Sequence, residues 1–292
     1  MTTLVQDAPV RNRFRPAQGA WRSILTHVQP ETDAQPRLAV AVDLARKLDA
    51  TLIGLGAEML PPLGASDPYG MLGGEFVSAM LDVIQTNLVH AQAGFQKAAA
   101  GVRGQWMSVQ DLPERAISRL SRGADLIVAG GSPLKAHDSY RWCDPGQLIL
   151  NSGRPVLVAP PAGGTLGAEA VVVAWKDSRE ARRALADALP ILKCAEDVLL
   201  VEICAKEDVE DTAPHHASVL EHLERHGIKA RSKIVPGHPT VAADTLQFQA
   251  KSLGADLIVS GGYGHSRLGE WVMGGVTADL LADPQRFVLF SH

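Results

Sequence analysis

Several kinds of chemistry are excluded by what the chain lacks. It has three cysteines in 292 residues, Cys143, Cys194 and Cys204. An odd number with no CxxC pair argues against a disulfide framework or a structural zinc site, and the three read as reduced thiols. There is no excess of positive charge: Lys and Arg number 28 against 32 Asp and Glu, a formal net charge of -4. Without a basic field, neither a nucleic-acid backbone nor an anionic membrane surface is expected as a partner. No apolar run approaches the roughly 20 residues that span a bilayer, and the first residues lack the apolar segment of a signal peptide. A soluble, unexported, cytoplasmic protein is expected. The chain has no GxxxxGK[ST] run, and no GxGxxG is completed after a first strand, so ATPase and dehydrogenase readings lack their phosphate grips.

What is present is a repeat. Gly123 to Gly131 reads GADLIVAGG and Gly254 to Gly262 reads GADLIVSGG, one substitution in nine residues. Self-similarity at a long offset marks a duplicated unit. The offset is 131 from here to the end of each half and 147 at the beginning, where ILTHVQ from Ile24 lies opposite VVVAWK from Val171. The difference of 16 residues is an insertion in the first half. With 46% hydrophobic content, the length fits two domains of about 140 residues.

Both halves alternate short β-branched runs with segments of helical period, the pattern of βαβ units around a buried parallel sheet. Two tandem doubly wound α/β domains are expected. Candidate strands are Ser23 to Val28, Thr51 to Gly56, Gln105 to Val109, Leu126 to Ala129 and Val156 to Ala159, then Val171 to Trp175, Val198 to Ile203, Ala230 to Val235, Leu257 to Ser260 and Phe287 to Phe290. Helices are predicted near Arg37 to Leu48, Phe76 to Ala100, Ser178 to Leu192, Ala217 to His226, Val241 to Leu253 and Val276 to Leu281. Residues 1–20, with Arg11, Arg13 and Arg15, read as a flexible arm. Residues 21–160 form the expected first domain and 170–292 the second. The Pro/Gly-rich stretch 161–169 is the linker, and Pro61 to Glu75 an irregular loop holding much of the insertion.

After the fourth strand of the second half the chain reads GGYGHSRLGEWVMGGVT from Gly261 to Thr277. Glycines there, outside the carboxyl ends of parallel strands, let backbone N–H groups approach an anion, and a helix start adds a favourable dipole. The spacing G-x2-G-x9-G of Gly261, Gly264 and Gly274 resembles the nucleotide-binding signature of the universal stress protein family, and the duplication is similar to its tandem members. VVVAWKDSREARRAL from Val171 and Gly237-His238-Pro239 resemble its first strand and helix and its G-x-P turn. The resemblance implies a five-stranded parallel sheet per domain, of the adenine nucleotide alpha-hydrolase-like kind, with last strands that pair the domains. It also implies a non-catalytic regulatory role in stress response and a site for ATP or ADP, with no metal beyond a nucleotide-associated Mg. The expected contacts are Gly261, Gly264, Gly274, Gly275 and Thr277 around phosphate, with Lys176 and Trp175 nearer the nucleoside.

The chain departs from that pattern. Gly275 stands where nucleotide-binding members carry Ser or Thr, so a hydroxyl worth roughly 1.5 to 3 kcal/mol to a charged group is lost. Lys176 replaces a nucleoside-contacting acid. In the first half Gly130, Pro133, Cys143 and Asp144 lie opposite Gly261, Gly264, Gly274 and Gly275, and Gln29 lies opposite Lys176. Proline offers no N–H and aspartate repels phosphate, so at most one site is expected, in the second half. The rival reading is an interaction module of the same fold that has lost its ligand. The apolar last strands are expected to pair within one chain, and association of two chains into a dimer is left open.

Other candidates rank lower. SGGYGHS from Ser260 lacks the Asp of a pyrophosphatase loop at Gly264 and follows the wrong strand. His215, His222 and His226 have helical spacing, but a solvated polar face accounts for them. Cys143 beside Asp144 reads as an inert thiol. Trp175 and Trp271 are candidates for an adenine wall or for core.

Overall fold

The computed structural model describes residues 21–29, 35–61, 73–131, 140–264 and 275–292. The apolar runs form ten strands. β1 (Ser23–His27), β2 (Thr51–Ala57), β3 (Arg103–Val109), β4 (Leu126–Gly130) and β5 (Val156–Ala159) lie in the first half. β6 (Ala170–Ala174), β7 (Asp197–Cys204), β8 (Ala230–Pro236), β9 (Leu257–Gly261) and β10 (Phe287–Ser291) lie in the second. Among the described residues eight α-helices connect them: α1 (Gln35–Leu48), α2 (Gly74–Ala98), α3 (Pro113–Leu120), α4 (Pro145–Asn151), α5 (Arg179–Leu192), α6 (Val209–Arg225), α7 (Ala242–Leu253) and α8 (Gly275–Ala282).

All ten strands join one sheet in the order β3-β2-β1-β4-β5-β10-β9-β6-β7-β8. Within each half every pairing is parallel. At the middle β5 and β10 run antiparallel, with Leu157 opposite Leu289 and Val156 opposite Phe290. These four residues are fully buried. The last strands therefore pair within one chain. The outer edges are β3 and β8, largely exposed, with Arg103, Arg231 and Lys233 on them; edge charge of this kind discourages further strand addition.

Helices cover both faces. One apolar layer collects side chains from α1, α2, α5 and α6, and the other from α3, α4, α7 and α8. Strand residues alternate between the layers, Ile24 and Leu52 on the first and Leu25 and Leu55 on the second, as the period of two requires. The insertion divides between the segment before α2, of which 62–72 lie outside the described residues, and α2 itself, 25 residues against 17 in α6.

The repeated segment has a structural explanation. Asp125 accepts hydrogen bonds from Arg22 N, Ser23 N and Ser23 Oγ at 2.8 to 3.0 Å, and Asp256 accepts from Gly167 N and Ala168 N at 2.6 and 3.0 Å. Each aspartate clamps the backbone entering the first strand of its half. The apolar triplets form β4 and β9. The last glycines pack across the seam. A Cβ on Gly131 would lie 2.6 Å from Pro284 Cγ, and one on Gly262 would lie 2.3 Å from Ile149 Cγ2. The stretch 161–169 is anchored at both sides, since Leu166 is fully buried and its carbonyl accepts from Lys47 Nζ at 2.9 Å.

Candidate functional site

β6 lies between β9 and β7, so the strand order reverses beside it. An open parallel sheet leaves a crevice at such a point, outside the carboxyl ends of its strands. Here β6 and β9 end together, with Ala174 opposite Ser260, and two connections leave the sheet: 175–178 toward α5 and 262–264 after β9.

The first connection starts in the core. Trp175 is buried and shares the apolar layer of Ala181 and Leu185; its backbone N–H donates to Val201 O at 2.8 Å, and its indole Nε1 is buried without a partner. Lys176 and Asp177 are exposed, and Arg182 Nη1 reaches Asp177 Oδ1 at 2.5 Å. Ser178 caps α5, its Oγ accepting from Ala181 N at 3.2 Å, the ordinary chemistry of a helix start.

Glu180, in the first turn of α5, is 2% exposed. Burial pushes its carboxyl up, but hydrogen bonds from its own backbone N–H, from Arg179 and from Ser178 outweigh this and hold it below the usual carboxylate value. Arg179 Nε lies 3.3 Å from Glu180 Oε1. The same guanidinium reaches His292 Nε2 at 3.2 Å, and His292 Nδ1 lies 3.0 Å from Gly262 O.

The second connection passes over that turn. A Cβ on Gly261 would lie 2.7 Å from both Ala181 N and Glu180 C, so glycine allows the end of β9 to touch α5. A Cβ on Gly264 would lie 3.4 Å from Glu180 Oε2 and 4.0 Å from Ser178 Oγ. Tyr263 between them adopts φ +52°, a region that costs most residues energy, and its N–H donates to Thr277 Oγ1 at 3.1 Å. Thr277 is buried and its hydroxyl holds this turn. Gly275 opens α8, and among the described residues nothing lies within 4 Å of where its Cβ would be. Gly274 and Trp271 lie outside the described residues.

The structure thus brings Gly261, Gly264 and Thr277 to the corner occupied by Ser178 and Glu180. It sends Trp175 into the core and leaves Lys176 in solvent. Arg179, Glu180 and His292 escaped the sequence reading. The one signal for Glu180 was an acid just inside a Ser-capped helix, which reads as helix-start chemistry.

The matching corner of the first half is built differently. Arg37 Nη2 donates to His27 O at 2.9 Å and reaches Gln29 Oε1 at 3.5 Å, and Gln29 Nε2 donates to Arg141 O at 2.6 Å. Arg141 Nε pairs with Glu58 Oε1 at 3.0 Å, and Asn87 Nδ2 lies 3.1 Å from both Glu58 oxygens. A Cβ on Gly130 would lie 3.3 Å from Arg37 Nη1. Burial lowers the Arg37 pKa, against the influence of Cys143. His27 falls to about 3 through burial and the nearby Arg37, against its bond to Ala57 O. Burial, with Glu114 and Asp144, raises the Cys143 thiol against Arg37. Asp144 caps α4, accepting from Gly146 N at 2.9 Å. Pro133 lies outside the described residues.

Among the described residues no three His, Cys, Asp or Glu side chains converge as a metal site would need. The rings of His222 and His226 meet edge to face with centroids 4.8 Å apart. No described helix is long and apolar enough to cross a membrane.

No protein-family profile and no curated protein matches the chain. Solved structures do. A universal stress protein from Archaeoglobus fulgidus is 15% identical with a TM-score of 0.67, over 92% of this chain and 95% of that one. A functionally unknown protein from Pseudomonas aeruginosa PAO1 is 19% identical with a TM-score of 0.57, over 93% and 92%. A candidate universal stress protein from Pseudomonas aeruginosa UCBPP-PA14 is 20% identical with a TM-score of 0.55, over 93% of each chain. The fold of this chain, across nearly its whole length, is the one that universal stress proteins adopt.

Proposed function

We propose that this chain is a tandem protein of the universal stress type, non-catalytic and regulatory, acting in the cytoplasm in stress response. In this reading it binds one adenine nucleotide, ATP or ADP with its associated Mg, at the corner where β6 and β9 end. Its domains are 21–160 and 170–292, joined by 161–169 and preceded by the arm 1–20. Gly264, Gly274 and Gly275 offer backbone to phosphate, Gly261 and Thr277 fix the turn, and Lys176 is free to reach the ligand. Occupancy would bias domain packing or partner choice.

The observation that carries this reading is the difference between the two corners. In the first, Gln29, Arg37, Arg141 and Glu58 satisfy one another across the strand ends. In the second, Lys176 and Asp177 stand exposed and Gly264 and Gly275 carry no side chain to obstruct an anion. Mass spectrometry of nucleotide released from the purified protein, followed by calorimetry with ATP, tests it. Stoichiometric binding of one nucleotide per chain is expected, and steady phosphate release would overturn the non-catalytic assignment.

The rival, an interaction module without a ligand, is favoured by one observation: the Glu180 carboxylate lies beside Gly264. No binding of adenosine, AMP, ADP or ATP at millimolar concentration would establish it.

A further inference from the structure

We infer that Glu180 is the residue that sets how many phosphates this corner accepts, by seating a carboxylate of the protein where the anion of a ligand would otherwise bind. The inference rests on the nucleotide reading above and refines it.

The first turn of a helix presents N–H groups with no partner inside the helix, together with the positive end of its dipole. In a nucleotide corner those groups are the natural seat of a phosphate. Here one of them is already engaged, since Ser178 Oγ takes the N–H of Ala181, and the Glu180 carboxylate, 3.3 Å from Arg179 Nε, stands in the same turn. The side chain is 2% exposed, so the charge is fixed in place. The glycine turn runs directly past it, and among the described residues Glu180 Oε2 is the atom nearest to a Cβ built on Gly264, at 3.4 Å. A phosphate drawn to the exposed backbone of Gly264 therefore meets a carboxylate close by, and like charges repel.

Among the described residues the cations of this corner are Arg179, already shared between Glu180 and His292, Arg182, paired with Asp177, and Lys176. Each added phosphate brings more negative charge to the same place, whereas adenosine brings none. The corner accordingly ranks its ligands adenosine, AMP, ADP, ATP, from tightest to weakest. The glycine frame sets where a ligand lies, and Glu180 sets how much charge it carries.

Calorimetry with these four ligands, with and without Mg2+, tests this on the full chain and on Glu180→Gln, which keeps the size and hydrogen bonding of the side chain. The expected result is at least a tenfold gain in ATP affinity for the variant, with adenosine changed less than twofold. Glu180→Asp, which keeps the charge, should retain the native ranking, and thermal melting establishes that both variants fold. An unchanged ratio of ATP to adenosine affinity would overturn the inference while leaving the site intact. Weaker ATP binding by Glu180→Gln would overturn it in another way, by making the carboxylate a ligand of the nucleotide's Mg2+. Failure of all four ligands to bind either form at millimolar concentration would remove the nucleotide reading and this inference together.

Discussion

The two strand-end corners of this chain come from one duplicated plan and have reached opposite solutions. In the first half a guanidinium, an amide and a carboxylate bond to one another across the ends of β1 and β2. In the second, the same end of the sheet carries a glycine turn, two exposed charged side chains and one buried acid. The strands and the helices that frame them scarcely differ, and the difference lies in the connections. A polar corner at strand ends is costly to leave unsatisfied. The first half satisfies it with its own side chains. Among the described residues the second does so around Glu180 and leaves Lys176 and Asp177 exposed.

The largest effect in breaking this comparison should come at the seam that both halves share. Leu289→Ala, or Leu157→Ala opposite it, should cost about 2 to 5 kcal/mol, the usual range for a fully buried leucine. Urea denaturation should show both halves melting together. Loss of one half alone would mean that the seam does not couple them.

Next come the duplicated clamps. Asp125→Ala and Asp256→Ala each free two or more backbone N–H groups. Each should cost about 1.5 to 3 kcal/mol, and the two should agree within about 1 kcal/mol. A large inequality in chemical denaturation would mean that the halves use the shared aspartate differently.

The cross-seam glycines should separate instead. Gly131→Ala meets the ring of Pro284 and, at 3.1 Å, the backbone of Leu281, whereas Gly262→Ala meets one methyl of Ile149 and no backbone atom closer than 3.7 Å. Overpacking costs about 1 to 3 kcal/mol, with Gly131→Ala expected at the upper end and Gly262→Ala at or below the lower. Melting temperatures would decide the order.

The smallest effect at neutral pH is one that appears only on acidification. His27 sits folded near pKa 3 and unfolds to an ordinary value near 6.5. The unfolded chain binds the proton first, so stability falls as pH drops from about 6.5 toward 3, by up to about 1.4 kcal/mol per pH unit. Ala174 lies at the equivalent place in the second half, so His27→Ala should flatten that acid limb in denaturation curves recorded at pH 4 to 7.

Much of this was legible in the chain because buried parallel strands are nearly continuous apolar runs. All ten strand positions read from the sequence agree with the structure to within two residues at either end. Helices were harder where local signals conflict. α6 was read from Ala217 but begins at Val209, because Pro214 stands inside it. α3 and α4, with eight and seven residues, are too short to show a period, and the sequence reading did not place them individually. At the site, the glycine frame was legible since its spacing is local. Glu180 was not, because its meaning comes from the distant turn at Gly264 folding onto its helix; Arg37 was not, because His27 and Gln29 meet it only once α1 packs against β1.

The antiparallel seam has a consequence for inheritance. When two identical subunits meet through such a surface, every substitution appears on both sides, so neither can abandon its site alone. Here the two sides of the seam are written separately in one chain. Each can drift while the other keeps its chemistry, and dilution cannot part them. A change that would cost a symmetric pair both of its sites costs this chain one, so the closed first corner is an outcome that only a fused pair could keep.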